Sequence, residues 1–195
     1  HTKGHTGVIT SGRWHPTNPQ EIVTSSLDST VRIWDVTMNR IGVEQQLPSK
    51  TVIKCRDQKG MGVDVWKANV FTDGSKIIAS CQDGSLQIFS DKNSHSVAEL
   101  CLRQPFKHEV TAIEPLRDGF QFLTRVQDNT MRLYDIRKFD RCVYTWYEMI
   151  NNHQHTGICL SPDEKYILTG SSNTKSEPGC LQFIRAADYE VIAKV

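Results

Sequence analysis

The chain has 195 residues, 38% of them hydrophobic, and its 23 lysines and arginines nearly balance 22 aspartates and glutamates. That is enough apolar content for a core, and too little basic excess for the footprint of a nucleic-acid or membrane-surface binder, so neither partner is expected. No apolar run approaches the roughly 18 residues of a membrane span, the opening His1-Thr2-Lys3-Gly4-His5 does not resemble a signal peptide, and a chain without an initiating methionine reads as a piece of a longer protein.

The predicted elements are short strands, because the apolar runs are β-branched or aromatic and are bounded by Gly, Pro, Asp and Asn. In chain order they are 8–14, 21–26, 30–36 and 51–55, then 66–72, 76–82, 85–89 and 97–102. A third group follows at 110–116, 120–125, 130–136 and 143–147, and a fourth at 157–160, 165–170, 181–185 and 190–195. Runs such as "KIIASC" and "KYILTG" are more continuously apolar than a sheet with one wet face needs, so both faces of these strands are expected to be covered. Cys55, Cys81, Cys101, Cys142, Cys159 and Cys180 are widely scattered, most of them inside strand-like runs, and read as buried free thiols rather than as a disulfide framework. With no Asn-x-Ser/Thr sequon, a reducing compartment, cytosol or nucleus, is expected.

The four groups repeat one pattern. Asp28 in "SLDSTVRIWD", Asp83 in "CQDGSLQIFS" and Asp128 in "VQDNTMRLYD" each lie six residues before an aromatic anchor, at Trp34, Phe89 and Tyr134. Ten residues before each acid is another turn signal, at Asn18, Asp73 and Asp118, with Asp163 as its counterpart in the fourth group. There the acid gives way to Asn173, and five extra residues precede the anchor at Ile184. A four-strand unit with a Gly-His pair before its first strand and Trp-Asp at the end of its third resembles the WD-repeat β-propellers, an all-β fold. The four blades would fall at about 1–60, 61–105, 106–150 and 151–195.

The resemblance narrows to the gastrulation-defective, or WD-repeat-containing protein 70, family of nuclear propellers through "KGHTGVITSGRWHP", "SCQDGSLQIFS", "YDIRKFDR" and "SPDEKYILTGSSNTKSEPGCLQF". The linker from Met38 to Lys59 has no distinctive motif.

What the resemblance implies is a hydrogen-bonded chain of His5, Ser26, Asp28 and Trp34 inside the first blade. A buried aspartate needs such partners on any account. The third unit keeps His108, Asp128 and Tyr134-Asp135, with Val126 at the hydroxyl position, while the second has only Asp83 and Phe89. Because such propellers usually close with about seven blades, the remaining blades, or another chain, are expected to cover the open blade faces.

Tyr134-Asp135-Ile136-Arg137 is similar to the third-strand ending of propellers that dock on cullin-RING ligase adaptors, which implies Asp135 and Arg137 as contacts. Arg125, Gln127 and Asn129 in the third unit and Gln82 in the second are further candidates to face a protein partner, and the insertion Asn173 to Pro178 is another. His153, His155 and Cys159 lack a second ligand pair at zinc spacing, and no metal, cofactor or catalytic residue is expected. The expected function is a non-enzymatic scaffold in a nuclear complex, in chromatin-linked ubiquitin signalling and the DNA damage response. Its alternatives are a cullin-ligase substrate receptor and a subunit of an RNA-processing assembly.

Overall fold

The computed structural model describes residues 4–38, 47–91, 97–103, 105–175 and 178–195, so residues 39–46 of the expected linker and residues 176–177 of the insertion lie outside the described residues. Four four-stranded antiparallel sheets form, with strands in chain order across three of them and the same order in reverse across the other. The first holds β1 (Ile9–Trp14), β2 (Glu21–Ser26), β3 (Thr30–Asp35) and β4 (Ser49–Lys54). The second holds β5 (Val65–Val70), β6 (Lys76–Cys81), β7 (Leu86–Ser90) and β8 (Leu100–Leu102). The third holds β9 (Val110–Pro115), β10 (Gln121–Val126), β11 (Thr130–Asp135) and β12 (Tyr144–Trp146). The fourth holds β13 (Ile158–Leu160), β14 (Tyr166–Ser171), β15 (Cys180–Arg185) and β16 (Val191–Lys194). A single 3-10 turn at Ile136–Lys138 follows β11, and no α-helix occurs among the described residues.

The chain divides into two compact units, His1–Pro105 and Phe106–Val195. In the first, β5 packs against β1 and β2, burying Val23, Val31 and Ile33 of one sheet with Val65, Ile77 and Phe89 of the next. In the second, Leu123, Leu133 and Trp146 meet Ile158, Ile167 and Ile184. Burying each such side chain contributes about 1.5–3 kcal/mol, so each pair of sheets is held mainly by this apolar sandwich.

The hairpin turns explain the repeat. Asp28, Asp83 and Asp128 each accept the backbone N–H two residues on, at Thr30, Ser85 and Thr130, and the hydroxyl of that same residue as well. The intervening Ser29, Gly84 and Asn129 all adopt positive φ, at 65°, 79° and 64°. An acid in this place closes the turn by itself, which is why its distance to the aromatic anchor does not vary.

Two expectations change. β6 is buried on both faces, from Ile77 to Cys81, as its composition predicts. β14 instead alternates: Ile167 is buried at 3%, whereas Tyr166 is 43% exposed. Its second face has no covering sheet among the described residues. The cysteines are all free, but only Cys55 and Cys81 are buried, and Cys159 is exposed because it points away from the core in the three-residue β13.

Candidate functional site

The polar chain of the first sheet is built on strand register. In the β2–β3 hairpin Trp34 stands opposite Ile22 and Arg32 opposite Thr24, so the indole reaches Thr24 diagonally on the same face. Its Nε1 donates to Thr24 Oγ1 at 2.7 Å, and that oxygen lies 2.7 Å from His5 Nε2. His5 Nδ1 lies 3.0 Å from Asp28 Oδ2. A carboxylate only accepts, so Nδ1 carries the proton, and Nε2 accepts from the Thr24 hydroxyl. Every bond then runs one way, from Trp34 through Thr24 and His5 to Asp28.

The structure therefore replaces one member of the expected chain. Ser26 is two positions too far along β2, and its Oγ instead accepts the Asp28 backbone N–H at 3.1 Å. The hydroxyl that joins tryptophan to histidine belongs to Thr24. Register would have found it, since counting inward from the turn puts Thr24, not Ser26, within reach of position 34.

Asp28 also accepts the Thr6 N–H. Burial alone would push its carboxyl up, but the hydrogen bonds from Thr30, the Thr6 amide and His5 outweigh it and hold the group at about 2. The His5 and Asp28 side chains are 2% and 5% exposed, and the linked polar atoms of the four residues are spent on one another rather than offered to a ligand. In the third sheet His108 is exposed and Asp128 is paired with Arg132 instead, whose guanidinium lies 5.1 Å from the Phe106 ring.

At the end of β11 Tyr134 is buried, stacked on Phe122 at 5.4 Å and flanked edge-on by Phe106 and Phe139, and burial pushes its phenol up to about 12. It anchors the strand rather than meeting a partner. The next residue, Asp135, caps the 3-10 turn by accepting the Arg137 backbone N–H, and both its oxygens receive the Arg137 side chain through Nε and Nη2. That guanidinium holds the Asp135 carboxyl below the ordinary carboxylate range. Asp135 itself is 7% exposed, so its part is to orient. The Arg137 side chain is 59% exposed, lies 4.7 Å over the Phe120 ring, and its Nη1 has no partner among the described residues. It borders an open hollow of about 800 Å³ lined also by Gln121, Lys138, Arg141 and Val143.

Of the other candidate contacts, Gln82 is exposed, as are Asn173, Thr174, Lys175 and Pro178 of the insertion. Arg125 is fully buried at 0%. Its guanidinium donates to the carbonyls of Thr130, Met149, Ile150 and Gly170, and burial lowers it to about 10. Asn129 is half-buried and accepts the Asn151 N–H through Oδ1, and Gln127 is half-buried with its backbone N–H on Glu109. Of these three, Arg125 alone is wholly inside and is no part of an outward-facing surface. His153, His155 and Cys159 line a shallow, mainly apolar hollow of about 520 Å³ beside β13 and β14.

The family model described as "WD domain, G-beta repeat" matches residues 1–35 and 140–175. Over its whole length the chain is 34% identical to the Gastrulation defective protein 1 homolog of Drosophila melanogaster and 32% identical to WD repeat-containing protein 70 of Xenopus tropicalis. With WD repeat-containing protein 70 of Homo sapiens it shares 33% identity over 88% of the chain. It spans only 29%, 30% and 25% of the lengths of these three relatives.

Proposed function

Because this chain is a WD-repeat protein similar along its length to the gastrulation-defective and WD repeat-containing protein 70 proteins, we propose that it works by selective protein binding, as a non-enzymatic scaffold within a nuclear complex. The observation that carries this reading is where the polar groups go. Asp28, Asp83, Asp128 and Asp163 each spend Oδ1 on a turn amide and a hydroxyl, and His5 spends both ring nitrogens inside the first sheet. Arg137 keeps a guanidinium end for something outside. The setting proposed with the scaffold, which the family resemblance implies, is chromatin-linked ubiquitin signalling and the DNA damage response.

The pairing of Asp135 with Arg137 favours one more specific reading, a substrate receptor of a cullin-RING ubiquitin ligase. A guanidinium pre-oriented by a carboxylate and an aromatic ring loses little freedom on meeting a second acidic or carbonyl partner. Affinity purification from nuclear extract, wild type beside Arg137→Ala, followed by mass spectrometry, tests both readings. Recovery of a ligase adaptor with wild type alone supports the receptor. Recovery of other nuclear proteins without an adaptor leaves the scaffold, and recovery of none with wild type contradicts both.

A further inference from the structure

The turn that joins β1 to β2, "HPTNPQE", folds back so that the His15 N–H reaches the Glu21 carbonyl at 2.9 Å and both side chains leave the turn together. Asp91, just after β7 in the same compact unit, comes to the same place. One imidazole nitrogen and one oxygen from each carboxylate lie within 4.8 Å of one another.

Two features set this cluster apart from an ordinary surface grouping. The His15 side chain is 3% exposed, and its Nε2 has no hydrogen-bond partner among the described residues. The same holds for Asp91 Oδ1, which faces that nitrogen at 3.7 Å, beyond hydrogen-bond reach. Buried polar atoms left in this state are costly, and an ion between them is one of the few things that satisfies both.

The rest of the surroundings fit. Thr17 Oγ1 stands 3.4 Å from His15 Nδ1, which orients the ring and leaves Nε2 for the cluster, the second-shell arrangement of metal-bound histidines. Gly74 permits the close approach of the β5–β6 turn, because a Cβ there would lie 2.8 Å from His15 Cε1. The competitor is Lys50, whose ammonium is paired with Glu21. Its side chain is 48% exposed, so it can withdraw to solvent.

We propose that His15, Glu21 and Asp91 form a binding site for a divalent transition-metal ion. One imidazole and two carboxylates suit Zn²⁺ or Mn²⁺ better than Mg²⁺ or Ca²⁺, which prefer all-oxygen shells. With ligand bonds of about 2.1 Å a tetrahedral ion separates its ligands by about 3.4 Å, so the 3.7 Å pair needs little movement and Glu21 supplies most of the closure.

Zn²⁺ titrated into the intact chain, followed by calorimetry and by the rise in melting temperature, tests the site. One equivalent is expected to bind, with affinity falling about tenfold or more in Asp91→Asn and in His15→Gln. Lys50→Met removes the competing ammonium and is expected to tighten binding. Co²⁺ in place of Zn²⁺ should give visible d–d bands without a thiolate charge-transfer band, which excludes Cys159. No binding to the wild type, or unchanged affinity in a folded Asp91→Asn, overturns the proposal.

Discussion

Asp28 is the residue on which the first sheet's polar chain ends, and its titration makes that chain measurable. Its carboxyl sits at about 2 in the folded chain against an ordinary 3.8. A depressed folded value means that the unfolded chain takes up the proton first as the pH falls. The stabilisation is therefore complete above about pH 4 and disappears as pH drops through 2, and its size is about 2 kcal/mol. Denaturant titrations at pH 5 and pH 2.5 should show wild type losing about 1.5 kcal/mol more than Asp28→Asn, the remainder going at still lower pH. A parallel loss in both would place the buried carboxylate elsewhere. At the same scale, Thr24→Val strands the Trp34 N–H and His5 Nε2, and should cost about 2–3 kcal/mol, whereas Ser26→Ala gives up a single turn amide and should cost about 1 kcal/mol. A larger cost for Ser26→Ala would restore serine to the chain.

At the scale of strands and sheets, the pattern was legible where a short-range rule acts. Every strand edge falls within three residues of its expected place, because Asp-x-Ser/Thr turns punctuate the chain at fixed distances. Whatever depended on register was not legible from spacing alone. Thr24 and Ser26 share a face of β2, and only the pairing of Trp34 with Ile22 decides between them. Arg125 shows a second limit. Three residues before the turn acid the first two sheets carry Ser25 and Ser80, and the fourth sheet has Gly170 at the matching place. A long cation at that position looked like a surface residue, yet it extends through the interior to the Gly170 carbonyl of its neighbour. Arg125→Met should therefore destabilise the unit by about 3 kcal/mol in chemical denaturation by leaving buried carbonyls unpaired, and Arg125→Lys should recover only part of that, since one ammonium does not span the same carbonyls. An Arg125→Met variant as stable as wild type would show that those hydrogen bonds contribute nothing net.

For the molecule as a whole, four similar sheets in two compact units put their turn acids to work on their own turns. The family likeness and the all-β blades could be read from the Gly-His, Trp-Asp and turn signals. The division of labour at β11 could not: the sequence marks Asp135 and Arg137 alike, while burial makes the first an internal orienting group and the second an outward one. The His15, Glu21 and Asp91 cluster was equally hidden, because Asp91 is 70 residues from Glu21 and joins it only through sheet packing. The most direct test of this account is an equilibrium titration of the most enriched nuclear partner against wild type and Arg137→Ala, with melting temperatures measured on the same samples. Unchanged melting is expected, since the Arg137 side chain is 59% exposed, together with binding weakened about tenfold or more, as for a lost interface arginine. Equal affinity in the two proteins would contradict that expectation and move recognition away from the end of β11.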